Sequence, residues 1–115
     1  MPQQTHQIGD FFHIQFVWQL PDRDYARAVF QAKIISIDTF TERYIIELVT
    51  LVARRQESDE GETRPLPAHS PQFWPLIESL AGCRAAVAYE ATDQRPVRLR
   101  LQTLTREHSY FTKYS

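Results

Sequence analysis

Residues 43–52, RYIIELVTLV, are the longest nearly uninterrupted run of strand-forming residues in this chain. Alternate positions of a strand point to opposite faces, so the run divides into two sets of side chains, and both sets are mostly apolar. The sets are Tyr44, Ile46, Leu48, Thr50 and Val52, and Ile45, Glu47, Val49 and Leu51. A strand that is apolar on both faces is usually covered on both. We therefore expect a central strand, with the core on one side and a helix, the tail or a second subunit on the other.

Two further strands are predicted upstream of this run. Apolar residues alternate over Phe11–Trp18, which is typical of a half-buried strand. A longer strand is predicted over Tyr25–Ile37, where an alanine-rich inner set alternates with a more polar outer set. Alanine also favours helix over residues 25–33, but the β-branched residues that follow favour a strand. The alanines predict that something bulky, such as Trp18 or the helix, approaches this strand closely.

A loop and a helix are predicted downstream of the central run. Residues 53–69 combine an acidic cluster with prolines, a composition that predicts an exposed, mobile acidic and Pro-rich loop. An amphipathic helix is then predicted over Ser70–Ala81, because Ser70 can cap its first turn and Gly82 can end it. Pro75 fits poorly inside such a helix, so the first turn is a candidate for a separate tight turn.

The remaining segments are two strands and the two ends of the chain. Residues 83–90 and 97–102 alternate cleanly, and we expect them to pair as a hairpin. Three aromatic residues lie within 108–115, so this tail is expected to dock on the domain. Residues 1–7 are expected to be a polar N-terminal lead.

The order of these elements predicts the fold class. The 115 residues are expected to form a single domain, 1–115, of mainly β (α+β) class. The order β-β-β-α-β-β predicts a small antiparallel β-barrel or a strongly curved sheet of about five strands, with one short helix between strands 3 and 4. This is an OB-like order, and the alternatives are an SH3-like barrel or an open antiparallel sheet with the helix on one face.

Composition limits the partners and the location. The formal net charge is -1, which does not favour a dedicated nucleic-acid binder, although nucleic acid stays possible. A single cysteine allows no intramolecular disulfide. No apolar run approaches the ~20 residues of a membrane helix, and residues 1–10 are polar. We therefore expect no membrane contact and a cytoplasmic location.

Searches for catalytic and metal-binding motifs are negative. The three glycines are far apart, which excludes a phosphate-binding glycine loop. The four histidines show no metal-ligand spacing, and one cysteine gives no thiolate zinc site. Cys83 follows a glycine on the inner set of a predicted strand, where an inert buried thiol is expected. No catalytic residue, metal or cofactor is therefore predicted, and the sequence favours a protein that is not an enzyme without deciding the question.

A group of cations and one tyrosine form the candidate ligand or nucleic-acid binding site. Arg98 and Arg100 share one face of a predicted strand, and Arg84 lies on the matching face of its neighbour. Arg27 and Lys33 face outward on the second strand. In a barrel they would form a positive stripe flanked by the tyrosine or the tail aromatics, as in single-strand grooves. The simpler interpretation is a solvated outer face, in which Glu90 pairs with Arg98 across the hairpin. The candidates are Arg27, Lys33, Tyr44, Arg84, Arg98 and Arg100.

The first functional prediction depends on apolar surface that the predicted helix does not cover. The central and first strands are apolar on two faces, and one short helix covers only part of that surface. We therefore expect a non-enzymatic binding or assembly module that forms a homodimer, the commonest symmetric assembly, or binds another protein. The first alternative is a small barrel that binds single-stranded nucleic acid. The second is an enzyme with a small-molecule pocket that the fold builds around the helix and His13 or His108.

Overall fold

The structure is a computed structural model, and it describes residues 4–20, 23–58, 63–64, 73–104 and 110–113. Its strands are β1 (Phe11–Gln19), β2 (Asp24–Asp38), β3 (Arg43–Ser58), β4 (Thr63–Arg64), β5 (Cys83–Ala88), β6 (Val97–Leu99) and β7 (Thr112–Lys113). Its helical elements are α1 (Phe73–Glu78) and the 3-10 helix Leu101–Leu104.

The strands of the described residues form one curled, half-barrel sheet in the order β6-β1-β2-β3-β5-β7, with the two-residue β4 beside β3. Neighbouring strands are antiparallel, except that β6 runs parallel to β1. The prediction of a mainly β fold with a strongly curved sheet is confirmed. The prediction of one short helix between the third and fourth of the longer strands is confirmed as well.

Three irregularities in the pairing of β2 with β3 bend the sheet. Val52 and Val49 on β3, and Ile35 on β2, have no partner on the neighbouring strand, so each is an extra residue at a register shift. Such bulges bend the strand and increase its right-handed twist. They also reset the alternation of side chains. The two faces predicted for residues 43–52 are therefore continuous only as far as Leu48.

The core fills the concave face of the sheet, and its shape follows from the pairing of β1 with β2. Trp18 pairs with Ala26 and Phe16 with Ala28, so each large ring of β1 faces a methyl group on β2. These four residues are fully buried. Small residues opposite large ones let the rings pack at the density of a protein interior. The predicted inner face of β2, and the close approach of Trp18, are confirmed.

The helix α1 is shorter than the predicted Ser70–Ala81. It begins at Phe73, and Pro75 is its third residue, where a missing N–H costs no intrahelical hydrogen bond. Its buried side chains are Trp74 and Ile77. The N–H of Leu80 bonds to the carbonyl of Ile77, which tightens the chain into turns after the helix.

The predicted hairpin of residues 83–90 with 97–102 is wrong. β5 pairs with β3 and β7, whereas β6 pairs with β1 at the other end of the sheet. The connection between β5 and β6 contains its own turn, in which Thr92 Oγ1 accepts hydrogen bonds from the backbone of Gln94 and Arg95. β6 ends after three residues, and the chain continues as the 3-10 helix.

Two segments predicted to be irregular contain regular structure. β3 continues to Ser58, beyond the predicted end at Val52, because its register with β2 is maintained to Asp24. Apart from Thr63–Arg64, the rest of the predicted loop lies outside the described residues. The tail prediction is confirmed where it is described: Phe111 stacks edge-on against Phe16, with ring centroids 5.3 Å apart.

Candidate binding surfaces

The pairing of the strands divides the predicted positive stripe into two clusters on the outer, convex face. Arg98 on β6 is in register with Val17, Val17 with Arg27, and Arg27 with Arg55 on β3. Registered residues point to the same face, so this row carries three guanidinium groups across four strands. Arg55 was not among the predicted residues, because its strand was expected to end before it.

The second cluster carries Lys33 and Arg84. Its row runs from Phe11 through Lys33 and Glu47 to Arg84. Lys33 Nζ lies 5.7 Å from the centroid of the Phe11 ring, in a cation–π contact. Arg27 and Lys33 are six positions apart on β2, which at ~3.3 Å per residue separates the two clusters by about 20 Å. They therefore do not form a continuous groove.

The first row is partly neutralised by a buried carboxylate. Glu57 is only 7% exposed, and its carboxylate forms ion pairs with both Arg27 and Arg55, the second at 3.0 Å. Arg27 Nε also donates a hydrogen bond to this carboxylate. Arg27 Nη1 also donates to Gln15 Oε1 at 3.1 Å. Gln15, Arg27 and Arg55 line a shallow hollow of about 280 Å³. Because one carboxylate cancels only one of these two guanidinium charges, the row keeps two net positive charges, one of them on Arg98.

Tyr44 lies in the core and not beside the stripe, which corrects the predicted flanking role. Its side chain is 0% exposed, and its ring stacks on Tyr89 with centroids 4.7 Å apart. The hydroxyl oxygen accepts two hydrogen bonds, from the backbone N–H groups of Thr5 at 2.8 Å and His6 at 2.9 Å. Tyr44 therefore fastens the N-terminal lead to the half-barrel.

Arg100, the last of the predicted site residues, follows β6 on the exposed surface. Its backbone carbonyl accepts hydrogen bonds from the N–H and the hydroxyl of Thr103, at 3.0 and 2.7 Å. Thr103 Oγ1 in turn accepts the indole N–H of Trp18 at 2.8 Å. The backbone carbonyl of Arg100 therefore helps to position Thr103, which bonds to Trp18 in the core.

The second half of β3 presents an open edge that sequence reasoning missed. β5 pairs with β3 only up to Glu47, and β4 pairs with it only from Gln56 onward. Among the described residues, no strand pairs with Val49–Arg55 on the side away from β2. We call this segment the open edge of β3. Its extra residues Val49 and Val52 are 44% and 50% exposed.

A hollow of about 330 Å³ lies where β5 and β6 face each other without pairing. Its polar groups are Arg43, Glu90, Arg95 and Tyr110, and its apolar wall consists of Ala86, Val87, Ala88, Ala91, Pro96 and Val97. Burial raises the pKa of Tyr110, an effect that the nearby positive charge of Arg43 opposes. Tyr110 is therefore a neutral phenol at neutral pH. We call this space the seam hollow.

The structure also places the side chains that could take part in metal binding or catalysis. The described residues include no cluster of three or more His, Cys, Asp or Glu side chains that could hold a metal ion. Cys83 is buried, and burial raises the pKa of its thiol, which disfavours the reactive thiolate. His13 is exposed and lines a very open hollow with His6, while His108 lies outside the described residues.

Within the part of the chain that the structure covers, no helix has both the length and the apolar character needed to cross a bilayer.

The candidate surfaces are the first arginine row, the open edge of β3 and the seam hollow. Comparisons of the chain with protein-family models, with curated proteins and with solved structures found no significant match to any of them.

Proposed function

We propose that this chain is a non-enzymatic assembly module that pairs with a second copy of itself along the open edge of β3. The observation that carries the proposal is the exposure of Val49 and Val52 on a stretch of β3 that, among the described strands, is paired with β2 alone. An open strand edge is a template for pairing with another strand, and apolar side chains along it add the burial that stabilises the contact.

The charges near this edge favour a second copy over an unrelated partner. Glu47 precedes the open edge and Arg55 ends it, and both belong to the outer set of β3. A two-fold axis between two antiparallel copies near Leu51 brings Glu47 of each copy toward Arg55 of the other. Such an isologous contact adds an attraction between Glu47 and Arg55 to the pair that Arg55 already forms with Glu57, and it extends the sheet from one protomer into the next.

The nucleic-acid alternative has weaker support. Its best argument is the row of Arg98, Arg27 and Arg55, but phosphate would have to displace Glu57 from two of these three side chains. The row is also separated from Lys33 and Arg84, so a strand crossing it meets few further cations.

Sedimentation equilibrium at micromolar concentration tests the proposed pairing. We expect a mass of twice 13.5 kDa for the natural chain and of 13.5 kDa for Val52→Arg, because a charge on each copy would face its own image near the axis. The control is Phe40→Arg, which places the same charge on an apolar residue that is 95% exposed at the β2–β3 turn. A monomeric natural chain, or a Phe40→Arg variant that dissociates while Val52→Arg does not, would refute the proposal.

A further inference from the structure

The seam hollow exists because the half-barrel does not close. β5 is paired with β3 over Arg84–Ala88, but β7 covers its other side only at Cys83 and Arg84. Within the described residues, β6 is paired with β1 alone. The side chains between these two strands therefore face a space of about 330 Å³, near the lower limit of the ~300–1,000 Å³ typical of small-molecule pockets.

The wall of the seam hollow suits a small apolar body. It is built mostly from alanines of β5 and its following turn, with Val97 and Pro96 on the side of β6. Alanine side chains leave room that larger residues would fill. Ala86 and Ala88 both belong to the outer set of β5, in register with Ile45 and Arg43 on β3.

The polar groups of the seam hollow carry an excess of one positive charge. Arg43 and Arg95 line it together with Glu90, and none of the three forms an ion pair within the described part of the chain. This contrasts with Arg27, Arg54 and Arg55, each of which is paired with a glutamate. Arg95 is also held by its turn, where its backbone N–H donates to Thr92 Oγ1 at 3.2 Å and its carbonyl accepts from the Thr92 N–H at 3.2 Å.

We propose that the seam hollow binds a small monocarboxylate with a compact, branched apolar body. The carboxylate is held by Arg95 together with Arg43, since guanidinium groups form strong, charge-assisted hydrogen bonds to carboxylates. The apolar body lies against Ala86, Ala88 and Val97. Glu90 disfavours dianions such as phosphate esters, because the net charge of the lining compensates only one negative charge.

Protein NMR with two matched probes tests the chemistry of the site. 4-Methylpentanoate and 4-methylpentanamide have nearly the same shape, but only the first is charged at neutral pH. We expect the carboxylate to give saturable shifts of the Ala86, Ala88 and Val97 resonances, with a dissociation constant on the order of 1 mM. The amide should bind about tenfold more weakly. No saturable shift at tens of millimolar carboxylate, or equal affinity for the amide, would overturn the proposal.

A matched pair of variants tests the location. Arg95→Gln should weaken carboxylate binding about tenfold, because it removes one charge-assisted contact. Arg98→Gln makes the same change three residues along the chain on the outer face, and it should leave the affinity unchanged. Equal losses in the two variants would overturn the assignment. If Arg95→Gln does not fold, Ala88→Leu provides the test, since it fills the hollow, keeps both guanidinium groups and should abolish the shifts. Retained binding in Ala88→Leu would exclude the seam hollow.

Discussion

The two halves of β3 belong to one strand but have different surroundings. From Arg43 to Leu48 the strand is paired with β2 on one side, and with β5 as far as Glu47 on the other, and its inner side chains are fully buried. From Val49 to Arg55 it is paired with β2 alone among the described strands, and apolar side chains face solvent. Both stretches are mostly apolar, with four apolar residues of six at 43–48 and four of five at 49–53. Neighbouring strands therefore decide what an apolar residue contributes to stability here.

The bulges explain why the change falls after Leu48. Val49 is the first extra residue on β3, and it shifts Thr50 and Leu51 out of the alternation that the first half obeys. Leu51 still packs against the core, but Val52 is extra again. Among the described strands, β3 is therefore central in its first half and an edge in its second half.

The largest expected difference between the halves comes from two neighbouring truncations. Leu48→Ala should lower the free energy of unfolding by about 2–5 kcal/mol, because it leaves a cavity in a fully buried site. Val49→Ala removes two methyl groups that are partly in water, and it should cost less than about 1 kcal/mol. Urea unfolding at a concentration where the chain is monomeric measures both. Equal costs would mean that the second half of β3 is as well covered as the first.

A second comparison concerns two glutamates, Glu57 and Glu78, that form ion pairs with arginines of β2 and of the second half of β3. Glu57→Gln should destabilise the chain by about 1–2 kcal/mol, because a nearly buried carboxylate that holds two guanidinium groups loses its charge. Glu78→Gln weakens the exposed pair with Arg54 and should cost less than about 0.5 kcal/mol. Thermal unfolding at neutral pH measures the two variants side by side. A larger loss for Glu78→Gln would show that solvent exposure does not rank these pairs.

The smallest expected effect is a pH dependence beside the covered half of β3, where Tyr110 lies close to Arg43. Burial raises the pKa of Tyr110 above the ordinary 10.0, so the folded chain holds this proton more tightly than the unfolded chain. The resulting stability is fully present below about pH 10 and is lost as pH rises through the folded-state pKa. Above about pH 10, the free energy of unfolding of Tyr110→Phe should therefore fall less steeply with pH than that of the natural chain. Urea titrations at several pH values measure this slope.

Tyr89 should contribute to the same alkaline destabilisation as Tyr110. Burial raises its pKa in the same direction, so part of the alkaline destabilisation should persist in Tyr110→Phe. Tyr89→Phe is the matched control, and each single variant should retain part of the slope. If Tyr110→Phe leaves the slope unchanged, the tail does not bury its phenol in solution.

Local patterns in the sequence predicted the strands that follow one periodicity. Alternation located β1 and β2 within one or two residues, and the alanines opposite the rings of β1 marked the inner face of β2. The outward positions of Arg27 and Lys33 followed from the same period. These features depend on neighbours in sequence or on one adjacent strand.

The features that could not be predicted depend on distant partners. Tyr44 is in an apolar set of the run, but nothing local indicates that its hydroxyl serves the backbone of Thr5 and His6. Glu57 lies in an acidic cluster that suggested a loop, whereas β2 holds it in a strand and two arginines neutralise it. The hairpin predicted for β5 and β6 failed because β1 offered β6 a parallel partner that no short-range pattern reveals.

The parallel contact of β6 with β1 sets the order of events during synthesis. The hydrogen bond from Trp18 to Thr103 joins positions 85 residues apart, so it forms only after the chain up to Thr103 has left the ribosome. Contacts of such long sequence separation slow folding, because a large loop must close before they form. Until then Trp18 and Phe16 lack part of their cover, which Thr103 and Phe111 complete.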